Sequence, residues 1–143
     1  MLSKKSKYAI HALVFLAEKA GQGPVSIQEI ADAQKIPKRF LENILIELKK
    51  GKILHSKKGK MGGYYLGKSP DDINMMDIIR ITNGAIAMLP CVSLNFYESC
   101  DECIDEDLCG IRHVFIDIRD ATLKILSEST LTKFLEKQKK LKK

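Results

Sequence analysis

Three successive segments in the first third of the chain have apolar residues at helical spacing. Ser3 is suited to cap a first helix over about residues 4–20. The motif Ser26-Ile-Gln-Glu29 is a capping box that opens a short second helix. A third helix is predicted from Lys38, and its apolar face is expected to consist of Phe40, Leu41, Ile44, Leu45 and Leu48.

The apolar period then changes from that of a helix to that of a strand. The segments "ILHS" (53–56) and "YYLG" (64–67) read as two short strands, and "KKGKMGG" joins them. Two helices joined by a tight turn and followed by a β-hairpin predict a winged helix-turn-helix. The fold class is therefore expected to be mainly α with a small β-hairpin.

The second half predicts a linker helix and a long helix. Asn74 is suited to cap the linker helix, and a helix of about five turns is predicted over 111–130. The long helix carries more apolar surface than a small domain covers, which favours pairing with its copy in a homodimer. The alternative is packing on the first helix of its own chain. The predicted division is a winged helix-turn-helix domain, 1–68, followed by 69–143 with the linker helix, a cysteine loop (91–109) and the dimerisation helix.

Charge separates the two halves as well. Residues 1–68 contain 14 basic and 5 acidic residues, a net +9, whereas residues 69–129 contain 4 and 12, a net −8. The remaining residues, 130–143, contain 6 basic residues and 1 acidic residue. A basic first half favours nucleic-acid binding, although solubility alone would also account for it.

Candidate DNA contacts follow from the predicted geometry. Side chains at the start of the third helix reach base edges in the major groove, and lysines on the wing neutralise phosphates. The alternative is that Glu42 and Asn43 are ordinary solvated positions and that the hairpin glycines only form a tight turn. The predicted DNA-binding residues are Ser26, Gln28, Lys38, Arg39, Glu42, Asn43, Lys57, Lys58, Lys60 and Gly62.

No catalytic constellation accompanies these features, so the chain is not expected to be an enzyme. The three histidines have no serine and acid pattern around them, and no phosphate-binding glycine loop precedes a helix. The apolar runs are shorter than a membrane span, and the N-terminal segment lacks a cleavage site for export. A cytoplasmic protein with no membrane partner is expected.

All four cysteines lie in "CVSLNFYESCDECIDEDLC", from Cys91 to Cys109, with the spacing C-x8-C-x2-C-x5-C. Without an export signal, such a cluster favours a metal or redox site over a disulfide framework. Acidic neighbours disfavour thiolates in the absence of metal, and a bound cation reverses that balance. An iron–sulfur cluster, zinc and a cluster-free loop closed by disulfides all stay open at this point.

The chain resembles a known family in nearly its whole length. The segments "MLSKKSKYAIHAL", "VSIQEIA", "LENILIELKKGKIL" and "KGKMGGYYLGK", and the cysteine loop followed by "RHVF", are similar to the bacterial regulators that include IscR, NsrR and CymR. The resemblance implies a dimeric winged-helix transcription factor that binds double-stranded operator DNA. Several members carry an iron–sulfur cluster that senses iron–sulfur status, nitric oxide or redox state.

The resemblance also implies a ligand set. Cys91 matches the first ligand position of the family, and Cys103 and Cys109 have the spacing of the second and third. The fourth ligand departs from the pattern, because Arg112 occupies the position of a histidine ligand and Tyr8 that of an aspartate ligand in the first helix. Cys100 is the first candidate for the fourth ligand and His11 the second. A 2Fe–2S and a 4Fe–4S cluster are not distinguishable, and a purified protein can lack either.

The expected function is a dimeric DNA-binding regulator that senses redox state, nitric oxide or iron–sulfur status through a cysteine-ligated cluster. One alternative is a cluster-free or zinc-bound winged-helix regulator that responds to a metabolite or a partner protein. A further alternative is a small metal-binding protein associated with RNA, which would bind nucleic acid without sequence preference.

Overall fold

The computed structural model describes residues 2–143 and contains, within them, six α-helices and one hairpin. Three single turns of 3-10 helix, at Pro70–Asp72, Pro90–Val92 and Glu106–Leu108, lie between the main elements. The order confirms the predicted fold class. In chain order the elements are α1 (Lys4–Glu18), α2 (Ile27–Gln34), α3 (Lys38–Lys50), β1 (Leu54–Lys57), β2 (Gly63–Leu66), α4 (Met75–Thr82), α5 (Gly110–Glu128) and α6 (Leu131–Leu141).

Side-chain caps begin the helices where the sequence predicts them. The Ser3 hydroxyl accepts from the Ser6 amide at 3.1 Å, and the Ser26 hydroxyl accepts from the Glu29 amide at 3.2 Å. Asn74 caps α4 in the same way. Each cap satisfies one of the amides that a helix N-terminus leaves without an intrahelical acceptor.

The hairpin has a tight, defined register. Leu54 pairs with Leu66 and Lys57 pairs with Gly63, so each strand is displaced by one residue from its predicted position. Gly63 has φ +154°, and a Cβ there would lie 2.2 Å from the Val25 carbonyl oxygen. Only glycine therefore allows β2 to approach Val25, which forms an isolated bridge with Tyr64.

One apolar core joins both halves of the sequence. Leu13, Ile30 and Leu45 are fully buried in it, and so are residues beyond 68, such as Ile78 and Leu131. The predicted inward face of α3 is wrong at one position. Phe40 is 64% exposed, because it lies at the edge of the face formed by Leu41, Ile44, Leu45 and Leu48.

A buried hydroxyl pair fixes α1 against α4. Ser6 is fully buried, and its Oγ lies 2.7 Å from Oγ1 of Thr82, which also donates to the Ile78 carbonyl at 2.8 Å. Because a buried hydroxyl without a partner costs about 1–3 kcal/mol, the pair favours one register between the two helices.

The long helix has about the predicted length of five turns, but it ends two residues earlier than predicted. Instead of continuing to 130, α5 ends at Glu128, and Thr130 caps a further helix, α6, which the sequence analysis did not predict. The Met75 amide donates to the Ser129 carbonyl at 2.9 Å, and the Leu131 amide donates to the Ile73 carbonyl at 2.9 Å. These bonds hold the α5–α6 turn against the start of α4.

None of the helices formed by residues 2–143 is both long enough and apolar enough to cross a membrane.

Candidate nucleic-acid interface and cysteine loop

The face of α3 opposite the core carries the predicted base-contacting side chains. Lys38, Arg39, Glu42 and Asn43 are all exposed. Their spacing places Arg39 and Asn43 one turn apart on the same side of the helix. α3 has no side-chain cap at Pro37, so its first amides are free to face a phosphate or water. These side chains reach outward together, as direct readout of a major groove requires.

The wing places its predicted lysines at the tip of the hairpin. Lys57 ends β1, and Lys58 and Lys60 are exposed in the turn that follows. A Cβ on Gly62 would lie 2.1 Å from the Lys57 carbonyl oxygen, so Gly62 is required by the turn itself. Its predicted contact with DNA stays a prediction.

At the start of α2, both predicted contacts already have partners within the chain. The Ser26 hydroxyl caps the helix, and the Gln28 amide nitrogen donates to an Asp32 carboxylate oxygen at 2.9 Å. Both residues are exposed. The α2 N-terminus still offers amides to a phosphate, as helix N-termini generally do.

α5 differs from the other helices, because none of its 19 residues is buried. It packs one side against α4 and the Pro90–Val92 turn, where Arg119 Nη1 donates to the Val92 carbonyl at 2.8 Å. Its other side forms a stripe with alternating separations of three and four residues. The members of this α5 stripe are Ile111, Val114, Ile118, Ala121 and Ile125, all exposed.

The cysteine loop ends where α5 begins. Cys109 is the N-cap of α5, and its Sγ accepts from the Arg112 amide at 3.4 Å. Cys91 lies at the other end of the loop in the Pro90–Val92 turn and is only 8% exposed. Cys100 is exposed, and Cys103 is half-buried. The thiols therefore differ in environment although they share one loop.

A polar group lies within the loop. The Tyr97 hydroxyl donates to a Glu106 carboxylate oxygen, and this bond, followed by desolvation, raises the pKa of Tyr97. Arg112 Nε lies 3.8 Å from the other Glu106 oxygen, too far for a hydrogen bond, and no hydrogen-bond partner for it exists among residues 2–143. Glu106 thus connects the loop to α5. The sequence signal was the opposite charge of Glu106 and Arg112 six residues apart.

Burial and neighbouring charge act together on Cys103. Partial burial raises the pKa of the Cys103 thiol, and electrostatic repulsion from Cys109, Cys100 and Glu106 raises it further. A backbone hydrogen bond from Asp105 lowers it by less. The protonated form of Cys103 is therefore favoured when no cation is bound.

The donor set fits an iron–sulfur cluster in kind, because four thiols are the usual ligands of such clusters. The positions do not yet fit. Within residues 2–143, no three His, Cys, Asp or Glu side chains are close enough together to hold a metal ion. Binding would require the loop to bring Cys91 and Cys103 closer to Cys109.

The candidate ligand His11 and the histidine at the start of α5, His113, lie apart from one another. His11 is exposed on α1 and lines a cleft with Phe134 and other residues of α6, in which no cysteine takes part. His113 Nε2 lies 2.8 Å from the Asp107 carbonyl oxygen and so closes the loop against the first turn of α5. The role of His11 as a ligand stays a prediction.

The recognition helix, the basic glycine-tipped hairpin and the capped helix pair define a winged helix-turn-helix protein of the class that reads duplex DNA. Residues 2–137 match the family model of Rrf2, described as an iron-dependent transcriptional regulator. The chain belongs to the Rrf2 family of transcriptional regulators, and its role is regulatory rather than enzymatic. This confirms the resemblance to regulators of the IscR, NsrR and CymR type.

Individual relatives agree with this assignment. The chain is 41% identical over 138 residues to an Rrf2-like HTH-type regulator of Rhodobacter capsulatus, covering 94% of this chain and 92% of that protein. It is 32% identical to NsrR of Bacillus licheniformis, covering 99% and 96%. The structure of CymR, the global cysteine regulator of Bacillus subtilis, is similar with a TM-score of 0.77 at 30% identity, covering 94% and 95%. These relatives do not support the RNA-associated alternative.

Proposed function

We propose that this regulator is a homodimer that binds a two-fold symmetric operator, and that an iron–sulfur cluster in the cysteine loop sets its affinity for that operator. The observation that carries the proposal is the α5 stripe, which begins two residues after the N-cap Cys109. One helix thus links the cysteines to the surface through which two copies would pair.

The dimer is argued from the spacing of the α5 stripe. Separations of three and four residues form a continuous seam along a helix, as in two-stranded coiled coils. Ile111 and Ile125 are each 65% exposed, although a water-soluble surface gains nothing from isoleucine there. A second α5 would bury the stripe against the same apolar residues of its copy.

Operator binding is argued from α3 and the wing. The exposed side chains of α3 suit base edges, with Arg39 suited to guanine and Asn43 to adenine. Lys58 and Lys60 carry positive charge at the wing tip, where no acidic residue follows until Asp71. Two such heads joined by α5 would read half-sites about one helical turn apart.

The regulatory link is argued from the junction of loop and helix. A cluster held by Cys91, Cys103 and Cys109, with Cys100 as the fourth ligand, would order the residues before α5. When bound, the cluster would supply a redox-active centre made of iron and sulfide. This chain's part is to supply thiols and to convert the order of the loop into the position of α5. The family description as iron-dependent supports the same conclusion.

The alternative function is a cluster-free or zinc-bound regulator, and one observation favours its cluster-free form. The thiols are not gathered around a common centre among residues 2–143. Four thiolates also suit tetrahedral zinc. Anaerobic purification followed by absorption spectroscopy and by iron, sulfide and zinc analysis distinguishes the possibilities. Near-equimolar iron and sulfide supports the cluster, and zinc alone supports the alternative.

DNA binding is tested with duplexes selected from random sequence. We expect a two-fold symmetric consensus. Lys58→Ala with Lys60→Ala should weaken binding to all duplexes alike and lower the slope of log K against log salt by about 0.9 for each lost phosphate contact. Lys142→Ala with Lys143→Ala removes the same charge beyond α6 and should leave the slope unchanged. A change of consensus with an unaltered slope would remove the wing from the interface.

A further inference from the structure

A second basic surface lies beside the wing and contains no residue of α3. It is an open cleft of about 490 Å³ between the end of α1, the turn that precedes α2 and the strand β2. Lys19, Lys57 and Lys68 line it, and no acidic residue does. The neighbouring Glu18 lines a different cleft, with α6.

The apolar lining of this cleft suits the sugar part of a nucleic-acid backbone. Pro24, Tyr65 and Leu66 contribute apolar surface to the lining. Lys19 lies at the border with the neighbouring α6 cleft, where its Nζ is 5.7 Å from the centre of the Phe15 ring. A surface with an apolar lining and cationic sides matches a chain of deoxyribose and phosphate.

Backbone donors add to the lysines. Gly21 and Gly23 line the cleft with φ +83° and +91°, and a Cβ at either would meet open space. Among residues 2–143, neither glycine amide has a hydrogen-bond acceptor. The α1 C-terminus contributes only about −0.5 of a charge, which three lysines exceed.

The position of the cleft determines which anion it would meet. β1 packs against α3, and Lys49 Nζ at the end of α3 donates to Ser56 Oγ beside Lys57 at 2.6 Å. No α3 residue lines the cleft, and Lys57 is common to the cleft and the wing. A duplex whose phosphates contact the wing would therefore bring the neighbouring phosphates next to Lys57 and the cleft.

We propose that the cleft formed by Lys19, Lys57 and Lys68 binds the sugar–phosphate backbone of DNA flanking the operator half-site. This inference rests on the proposed operator binding and extends it beyond the base-contacting region. The contact carries no sequence information, and its contribution is affinity and register.

The test compares two operator duplexes, one trimmed at the outer edges of the half-sites and one extended by about one helical turn at each end. Lys19→Ala with Lys68→Ala should weaken binding of the extended duplex about tenfold and lower its salt slope by about 0.9 per lost contact. The trimmed duplex should bind the variant and the wild-type protein alike. Lys57 is left intact because it already belongs to the wing.

The matched control is Lys139→Ala with Lys140→Ala, which removes the same charge from the exposed end of α6. Equal losses on both duplexes, no loss on either, or the same loss in the control would each overturn the proposal. A second variant, Lys68→Glu, should act in the same direction with a larger effect on the extended duplex only. Circular dichroism checks that each variant is folded.

Free phosphate compounds are the competing occupant. Inorganic phosphate or pyrophosphate that protects Lys19 and Lys68 from acetylation, with no dependence of DNA affinity on duplex length, would overturn the proposal in favour of a small anion. Failure of the proposed function looks different, because the wild-type protein would then bind neither duplex in preference to random DNA.

Discussion

α3 and α5 are both amphipathic helices, yet they relate to the rest of the chain in opposite ways. α3 has 13 residues and buries Leu41, Ile44, Leu45 and Leu48. α5 has 19 residues and buries none. The apolar face of α3 is buried by other elements of the same chain, whereas residues 2–143 leave the α5 stripe exposed. The difference teaches that a single chain accounts for the reading head but not for the helix that follows the cysteines.

The largest effect is expected for a substitution in the α5 stripe, which the homodimer would bury. Ile118→Asp places a charge in the middle of the α5 stripe, and a homodimer carries it twice. A buried charge without a partner costs several kcal/mol, so the dimer should dissociate to a folded monomer. Light scattering and sedimentation measure the mass, and circular dichroism the fold.

Ile104→Asp is the matched control, because Ile104 is fully exposed in the cysteine loop and outside the stripe. Its mass should equal that of the wild-type protein. An intact dimer of Ile118→Asp would exclude the α5 stripe from the subunit interface.

The second prediction concerns the buried face of α3. Leu45 is fully buried on α3, so Leu45→Ala should lower the free energy of unfolding by about 2–5 kcal/mol. Ile46→Ala, one residue on and 45% exposed, should change it by less than about 0.5 kcal/mol. Urea denaturation measures both. Equal effects would mean that α3 does not have the inward face described above.

Much of this contrast could be predicted from the sequence, because it depends on local periodicity. Capping residues and the glycine-tipped hairpin determine α1–α3 and the wing within a few residues. Phe40 is predicted to face inward but is exposed, because it lies at the edge of the buried face, where a shift of one residue around the helix changes the exposure of the side chain. The prediction lacks α6, although Leu131, Phe134 and Leu135 have helical spacing after Thr130 within a segment rich in lysine.

The cysteine site could be predicted only as a set of residues. Spacing gives the thiols but not their separation, which depends on how a loop with few buried side chains packs. The link from Tyr97 through Glu106 to Arg112 joins residues whose sequence separations follow no helical or strand period. Tertiary contacts of this kind have no sequence signal beyond opposite charge.

The third prediction tests whether the loop acts on α5. Cys109→Ser removes a thiolate ligand but keeps a good N-cap for α5, whereas Cys109→Ala removes both. If the cluster sets operator affinity, both variants should lose iron and shift operator binding by about 1–3 kcal/mol, a usual coupling free energy. Anaerobic reconstitution, metal analysis and DNA titration provide the measurements.

The serine and alanine variants separate two causes. Equal shifts in both identify the metal as the cause, and a shift in the alanine variant alone identifies the helix cap. If both lose iron and bind operator as the wild-type protein does, the loop holds metal without regulating DNA binding. Unchanged iron content in both would exclude Cys109 from the ligand set.

The smallest effect is expected within the reading head, at the turn between α2 and α3. Lys35 lies there with φ 53° and ψ 45°, and its amide donates to the Ala31 carbonyl. The left-handed conformation costs a residue with a Cβ about 1–2 kcal/mol, part of which glycine loses again in chain entropy. Lys35→Gly should therefore raise the free energy of unfolding by about 0.5–1 kcal/mol in urea denaturation.

The control, Lys50→Gly, removes the same charge from the last residue of α3, which has a right-handed conformation. It should lower the free energy of unfolding by up to about 1 kcal/mol, because glycine has a low helix propensity. The two changes in the free energy of unfolding have opposite signs because the two residues differ in backbone conformation. A lower stability of both variants would contradict the left-handed conformation of Lys35 between α2 and α3.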